Sequence, residues 1–205
     1  MELDRGKIVD LLNEKDPQVI SRLFDEAYRT KVENVGESVY LRGLIEISNI
    51  CRKNCLYCGI RSDNSAVVRY QLSNDDVLGA AKFALDAGYG SIVIQGGERQ
   101  DKAFVKNIKR LIKKIKRLSR ENPLGITLSL GEQPIEVYED WFDAGAHRYL
   151  LRIESSNEEL YNMIHPSGDL HSFNSRVQAL LNLKYTASQG GTGVMIGRPF
   201  QTAEQ

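Results

Sequence analysis

The feature that most constrains the fold of this chain is a regular alternation of short apolar segments with longer amphipathic ones. Apolar segments of strand length occur at residues 39–47, 91–95, 125–130, 148–154 and 192–196. Segments with helical spacing separate them, so the pattern predicts successive βαβ units and an α/β fold with a parallel sheet. Right-handed crossovers would curl this sheet towards a (β/α) barrel of the TIM type.

Five strands do not close such a barrel. They would leave an unpaired, apolar parallel edge, so we expect a barrel truncated after about five βα units, belonging to a longer protein or covered by a partner. Upstream, Asp16 followed by Pro17 is a typical helix start. We predict an N-terminal helical cap at residues 1–36 and an incomplete barrel domain at residues 37–205.

Composition and charge argue against several classes of protein. Hydrophobic residues make up 41% of the chain and charged residues 26%, as in a globular protein. The 27 Lys and Arg residues balance the 27 Asp and Glu residues, so global charge does not indicate nucleic acid or an anionic membrane as a partner. No segment approaches the roughly 18 apolar residues of a membrane span, and residues 1–5 lack the core of a signal peptide. We therefore expect a cytoplasmic protein.

One predicted helix, at residues 102–120, is strongly basic and has apolar residues at helical spacing. This pattern fits either a surface for nucleic acid or a partner, or the solvated outer face of a barrel helix. The neutral charge of the whole chain favours the outer face.

All three cysteines, Cys51, Cys55 and Cys58, lie in one short loop after the first predicted strand. In parallel barrels, ligands bind at this carboxyl end of the strands. An odd number of cysteines in one loop makes a poor disulfide framework. Iron–sulfur clusters are held by thiolates, usually four for a [4Fe–4S] cluster. Three thiolates would leave one iron open to another ligand.

A structural zinc site is the alternative, and it normally takes four protein ligands. The fourth ligand would then be one of the three histidines: His147, His165 or His171. We expect His165 and His171 to be exposed loop residues rather than ligands. This leaves a zinc-binding structural module as the less favoured hypothesis.

The C-x3-C-x2-C spacing, with Tyr57 directly before the last cysteine, resembles the signature of the radical S-adenosylmethionine (SAM) enzymes. The resemblance implies a [4Fe–4S] cluster on Cys51, Cys55 and Cys58, whose open iron chelates the amino and carboxylate groups of SAM. It further implies reductive cleavage of SAM to a 5′-deoxyadenosyl radical, with an electron donor such as ferredoxin or flavodoxin. Tyr57 resembles the aromatic residue that approaches the adenine of SAM.

Gly96, Gly97 and Glu98 follow the second predicted strand. They resemble the glycine-glycine-glutamate motif of this family, which binds the amino group of SAM. Glycines allow backbone carbonyls to approach an ammonium closely. A plain tight turn is the alternative.

The fourth and fifth predicted strands carry further SAM-binding candidates. Arg152 and Glu154 are two residues apart, on the same side of a strand. They could hold the carboxylate and ribose hydroxyls of SAM, or form an ion pair inside the barrel. Arg176 is a weaker candidate for the carboxylate, with an ordinary surface arginine as the alternative. The glycine-bracketed strand around Met195 resembles the one that packs on the adenine.

Thr127, Ser129 and Glu132, at the third predicted strand, could face a substrate. Alternation places Thr127 and Ser129 on the same side of that strand. Ordinary strand residues are the alternative reading of this segment.

Residues 49–61, 127–132 and 148–152 resemble the corresponding stretches of the HydE family of [FeFe]-hydrogenase maturases, with the biotin synthase and methylornithine synthase families as alternatives. The resemblance implies an eight-stranded barrel in the intact protein. It also implies an organometallic substrate, an iron-bound cysteine carrying CO and cyanide, and other hydrogenase maturases as partners. The chain departs from the pattern at Ile153, where a histidine is expected, and at Phe200, where a glycine is usual.

Overall fold

The computed structural model describes residues 4–186 and 188–204. The first three residues of the predicted cap, the residue Ala187 at the end of the last predicted helix, and the terminal residue Gln205 lie outside the described residues. The described chain divides into two compact units, one of residues 4–40 and 196–204 and the other of Leu41–Met195. The predicted domain boundary between residues 36 and 37 stays a prediction.

The first unit contains two helices, α1 (Arg5–Asn13) and α2 (Pro17–Val35). The Asp16 side chain caps α2 by accepting a hydrogen bond from the Gln18 backbone N–H, as the Asp-Pro pair predicts. In the same unit, Phe200 has a φ of 66°, a left-handed conformation that favours glycine. The residue that departs from the family pattern therefore adopts the backbone conformation of the expected glycine.

The second unit is a five-stranded sheet with helices between the strands. Neighbouring strands in the sequence are neighbours in the sheet, and every pair is parallel. The predicted α/β fold with a parallel sheet is thus confirmed. The strands are β1 (Gly43–Ser48), β2 (Ser91–Gly96), β3 (Gly125–Ser129), β4 (Arg148–Leu150) and β5 (Gln189–Gly191). The helices are α3 (Asn74–Asp86), α4 (Lys102–Leu118), α5 (Ile135–Asp143), α6 (Glu158–Met163) and α7 (Phe173–Tyr185), with a 3-10 turn at Asp169–His171.

The basic helix α4 illustrates how the core forms. Its apolar side chains recur every three or four residues and are buried, whereas most of its lysines and arginines are exposed. The buried side chains of α4 are Phe104, Ile108, Leu111, Ile112 and Ile115. This burial pattern agrees with the outer face of a barrel helix.

Three predicted strand boundaries are wrong. β1 begins at Gly43 rather than at residue 39, and β4 ends at Leu150 rather than at residue 154. The positive φ of Glu154, 63°, is incompatible with a continuous extended strand. β5 lies at Gln189–Gly191, ahead of the predicted apolar segment. Beyond it, the chain keeps only a single bridge, between Glu154 and Val194.

Within the described residues, no helix combines the length and the hydrophobicity that crossing a bilayer requires.

Candidate functional site

A cavity of about 340 Å³ lies at the carboxyl ends of β1 to β4. All but three of the predicted site residues line it. These lining residues are Cys51, Cys55, Tyr57, Cys58, Gly96, Gly97, Glu98, Ser129, Arg152, Glu154 and Arg176. The βα connections that follow separate strands therefore bring the predicted residues together in one place.

The other three predicted residues lie outside the cavity lining. Glu132 accepts a hydrogen bond from Arg176, one of the lining residues. Thr127 is buried on β3, and its hydroxyl has no hydrogen-bond partner among the described residues. The Met195 backbone N–H donates to the Glu154 carbonyl at 3.0 Å, which places Met195 beside the lining without making it part of it.

The cysteine loop (residues 49–64) is fixed to three other parts of the unit through alternate backbone N–H groups. These N–H groups donate from Arg52 to Glu98 O at 3.0 Å, from Asn54 to His171 Nε2 at 2.8 Å, and from Leu56 to Ile164 O at 2.9 Å. The acceptors follow β2, lie in the 3-10 turn and follow α6. The loop that carries the three thiols is therefore held before any ligand is present.

The Arg69 side chain stabilises the cysteine loop by donating hydrogen bonds to the backbone carbonyls of the loop. Its guanidinium donates to the carbonyl oxygens of Asn49 (2.7 Å), Ile60 (2.8 Å), Arg61 (2.6 Å), Ser62 (3.4 Å) and Asn64 (3.2 Å). A planar, forked cation with five N–H donors suits this arrangement better than an ammonium does. Sequence reasoning did not assign Arg69 a role.

Gly97 explains why the segment after β2 must be rich in glycine. A Cβ at this position would overlap the backbone carbonyl of Ile50 and the Cβ of Cys51. The cysteine loop thus passes against bare backbone. The next residue, Glu98, donates its backbone N–H to Cys51 Sγ at 3.2 Å.

The thiols of Cys51 and Cys55 are buried enough to favour their neutral forms. Burial raises the pKa of both thiols, whereas the charges of Arg176 and Lys53 lower the pKa of Cys55. Within residues 4–186 and 188–204, no three Cys, His, Asp or Glu side chains are grouped as the ligands of one ion. In a [4Fe–4S] cluster the thiolates bind different irons, so their sulfurs need not meet at one point.

A buried ionic group lies beneath the cysteine loop. Lys53 is 3% exposed, and its Nζ lies 2.7 Å from Glu132 Oε1 and 3.7 Å from Glu98 Oε1. Glu132 Oε1 also accepts from Arg176 Nε at 2.5 Å, and Glu98 Oε2 accepts from the Glu132 backbone N–H at 2.9 Å. Glu98 Oε1 has no hydrogen-bond partner among the described residues. We call these four side chains, Lys53, Glu98, Glu132 and Arg176, the ionic brace.

The two carboxylates of the ionic brace are shifted in opposite directions. Burial raises the pKa of Glu98. Burial also acts to raise the pKa of Glu132, but the cations of Arg176 and Lys53 outweigh it and lower that pKa. No pattern in the sequence indicated a role for Lys53, because lysines are mostly exposed and its carboxylate partners are distant in the chain.

The prediction that His165 and His171 are exposed is wrong. They are 4% and 6% exposed, respectively. His165 Nδ1 lies 2.8 Å from the Tyr161 carbonyl, and its Nε2 lies 3.4 Å from the Tyr57 hydroxyl. Burial lowers the pKa of His165 to about 4. The loop between α6 and α7 looks like an exposed turn in sequence, yet it packs against the cysteine loop.

Arg152 and Glu154 form the expected pair, with Arg152 Nε 3.3 Å from Glu154 Oε1. The Arg152 side chain is 58% exposed, whereas Glu154 is buried. Arg176 is also buried, and its NH1 donates to the Arg152 carbonyl at 2.6 Å. The alternative of an ordinary surface arginine at residue 176 is therefore wrong.

A second concavity, a groove of about 600 Å³ between α3 and α4, has a different lining. The groove is lined by Leu78, Gly79, Lys82, Lys114, Arg117 and Leu118. Because this lining offers no thiol, imidazole or carboxylate, the cavity at the strand ends is the better candidate site.

Comparison with known proteins identifies the family. The model of the Radical SAM superfamily matches residues 45–205, which is most of the chain. The chain belongs to the radical SAM superfamily. It is 39% identical over 204 residues to the [FeFe] hydrogenase maturase subunit HydE of Thermotoga maritima, which covers 99% of this chain and 56% of that relative. It is 28% identical over 183 residues to a biotin synthase of Crocosphaera subtropica, covering 85% of this chain and 47% of that one.

The crystal structure of methylornithine synthase (PylB) resembles this radical SAM chain with a TM-score of 0.84 at 22% identity. The match covers 96% of this chain and 57% of that one, and it supports the fold alone. The radical SAM chain therefore shares the fold of that structure. It spans about half the length of the curated relatives it matches.

Proposed function

We propose that this chain forms the cluster- and SAM-binding part of a radical SAM enzyme that acts in maturation of the [FeFe]-hydrogenase active site. The main observation in support of this proposal is that Cys51, Cys55 and Cys58 line one cavity together with the Gly-Gly-Glu segment after β2. Identity of 39% to a HydE maturase over 99% of the chain supports the finer assignment.

The three thiols fit a [4Fe–4S] cluster. They share one cavity wall, and the bare Gly97 backbone lets their loop approach β2 closely. The Glu98 N–H bond to Cys51 Sγ is the kind of contact that tunes cluster sulfurs. Cys51, Cys55 and Cys58 would hold the cluster, which when bound would supply the electron for reductive cleavage of SAM.

The remaining lining residues fit the polar groups of SAM. Glu98 Oε1, which has no hydrogen-bond partner among the described residues, can accept from the SAM ammonium beside the Gly96 carbonyl. The buried guanidinium of Arg176, together with Arg152, suits the carboxylate. Glu154 suits the ribose hydroxyls as an acceptor.

Tyr57 and Met195 are proposed to lie near the adenine. Ser129 lines the cavity and is proposed to face the substrate. The proposed substrate is the iron-bound cysteine complex with CO and cyanide. The proposed partners are a ferredoxin or flavodoxin as electron donor and other hydrogenase maturases, in the cytoplasm.

Anaerobic reconstitution with iron and sulfide tests the cofactor assignment. The protein should take up about four irons, and the EPR signal of the reduced cluster should change when SAM is added. Dithionite and SAM should then yield 5′-deoxyadenosine. Stoichiometric zinc with no response to SAM would instead identify a zinc-binding structural module, and a cluster without 5′-deoxyadenosine would identify a non-catalytic remnant.

The maturase assignment needs a separate test. An extract that lacks its own HydE but contains the other maturases should activate apo-[FeFe]-hydrogenase when the reconstituted protein is added. Hydrogen production at the level of the untreated extract, despite SAM cleavage by the protein, would favour a biotin synthase-like or methylornithine synthase-like enzyme.

A further inference from the structure

Lys53 is a buried lysine whose partners lie on other elements of the unit. Lysine is almost never fully buried unless it is paired, and this side chain is 3% exposed. Its ammonium contacts Glu132 at 2.7 Å and lies 3.7 Å from Glu98. These carboxylates follow β3 and β2, whereas Lys53 itself sits between Cys51 and Cys55 in the cysteine loop.

The ionic brace is balanced in charge. It pairs the cations Lys53 and Arg176 with the carboxylates Glu98 and Glu132, and all four side chains are at most 12% exposed. Removing one partner of a buried ionic group leaves an uncompensated charge, which is strongly unfavourable. The position of each member therefore depends on the other three.

The brace also leaves one acceptor open. Glu98 Oε2 is used by the Glu132 backbone N–H at 2.9 Å, whereas Glu98 Oε1 has no hydrogen-bond partner among the described residues. Lys53 Nζ, 3.7 Å from that oxygen, is beyond hydrogen-bond range and is itself bonded to Glu132. Lys53 thus supplies a nearby positive charge while Glu98 Oε1 keeps its hydrogen-bonding capacity unused within the described residues.

We propose that Lys53 is a positioning residue that sets the cysteine loop relative to Glu98 and Arg176, the two side chains proposed to hold SAM. This inference rests on the proposed function. Lys53 also lines the cavity, but its ammonium is bonded to Glu132 and lies beside Glu98, so it acts through these two carboxylates. Its removal should weaken SAM binding while the three thiols still assemble the cluster.

The test compares Lys53→Met with the matched control Lys109→Met. Lys109 also forms a salt bridge, to Asp140 at 2.8 Å, but it lies on the outer helix α4 and is partly exposed. Each reconstituted protein is assayed for iron per chain, and for SAM affinity by titrating the EPR signal of the reduced cluster. We expect Lys53→Met to keep its iron and to raise the SAM dissociation constant about tenfold, and Lys109→Met to change neither.

A purely structural role would give another result. Lys53→Met would then lower thermal stability and iron content, while the cluster-loaded fraction would bind SAM with unchanged affinity. That outcome overturns the inference. Lys53→Arg guards against a variant that does not fold, because it retains the charge but presents a planar fork in place of an ammonium. We expect Lys53→Arg to weaken SAM binding severalfold, and an unchanged affinity would also overturn the inference.

The double variant Lys53→Met with Glu132→Gln restores the charge balance of the brace. We expect it to recover part of the lost SAM affinity relative to Lys53→Met, and no recovery would count against coupling through Glu132. Measurements on the wild-type protein distinguish failure of the proposed function from failure of the inference about Lys53. If it assembles no cluster, the proposed function fails and this inference with it. If it binds cluster and SAM but the Lys53 variants bind SAM equally well, only this inference fails.

Discussion

The cysteine loop makes hydrogen bonds and ion pairs with residues that follow β2 and β3, whereas its contacts with the ends of β4 and β5 are few. β2 and β3 pair over five residues, but β3 and β4 pair over only two. On the first side, buried charges and backbone hydrogen bonds fix the thiols. On the second side, Arg152 is mostly exposed and Glu154 has a left-handed backbone.

This contrast separates two ways of building a site. The cluster side is preorganised, because backbone hydrogen bonds and buried ion pairs hold the cysteine loop there, and preorganisation lowers the cost of binding. The β4–β5 side holds strain at Glu154 and keeps Arg152 in contact with solvent. Strained conformations of this kind cluster at functional sites. Loss of a thiolate on the first side should therefore act on the cluster, whereas variants of Arg152 and Glu154 on the second side should act mainly on SAM binding.

The largest effect should come from Cys55→Ala on the cluster side. Removing one of three thiolates should abolish cluster assembly, so iron per chain should fall close to zero after reconstitution. Ser65→Ala, an exposed position in the segment after the cysteine loop, is the control and should keep its iron. Retention of the full cluster by Cys55→Ala would remove Cys55 from the ligand set.

Gly97→Ala should have the next largest effect. Its Cβ would overlap backbone atoms of Ile50, which cannot move aside as a flexible side chain can. We expect a loss of about 3 kcal/mol in unfolding free energy, measured by urea unfolding, together with reduced iron uptake. Gly59→Ala, in the cysteine loop, is the control. Its added Cβ meets nothing within 4 Å, so the unfolding free energy should hardly change. Equal effects of the two variants would contradict close packing of the loop on β2.

Arg69→Lys should loosen the cysteine loop without removing a charge. An ammonium cannot reach all five carbonyls to which the guanidinium donates. We therefore expect the unfolding free energy to fall by about 2 kcal/mol. Hydrogen exchange should accelerate at the backbone amides of residues 52–64. Arg61→Lys, whose guanidinium bonds a single carbonyl at 3.2 Å, is the control. Unchanged exchange in Arg69→Lys would mean that the loop is fixed by its other contacts alone.

Glu154→Gly probes the β4–β5 side and should separate stability from binding. Glycine adopts a positive φ without strain, so the free energy of unfolding should rise by about 1 kcal/mol. Affinity for SAM should fall, because the proposed ribose acceptor is gone. Phe200→Gly relieves a similar conformation at an exposed residue, and it should stabilise the protein without changing SAM affinity. A loss of stability in Glu154→Gly would show that the carboxylate, not the strain, dominates there.

The last prediction concerns pH and His165, whose Nε2 lies 3.4 Å from the hydroxyl of Tyr57 in the cysteine loop. Its pKa falls from 6.5 to about 4 on burial, so the unfolded chain binds more protons than the folded one between these values. Stability should therefore fall as the pH is lowered from 6.5 to 4. His165→Phe should flatten this part of the curve, measured by urea unfolding at successive pH values. An equally steep curve would mean that other groups carry the dependence.

The sequence by itself determined the parallel α/β class and most of the residues that meet in the cavity. Apolar periodicity and the Asp16-Pro17 start are local signals, and the helices they predict are present. The cysteine spacing is local too, and the topology of a parallel sheet brings strand ends to one edge. These features need no knowledge of distant contacts.

Only the tertiary structure decided which polar residues are buried and with whom. Lys53, His165 and His171 look like surface residues in the sequence, because burial is a property of the assembled fold. Their partners Glu132, Tyr57 and Asn54 lie 79, 108 and 117 positions away, respectively. The ends of β4 and the place of β5 were missed for a related reason. Pairing with a neighbouring strand and the backbone of Glu154, rather than side-chain propensity, set those limits.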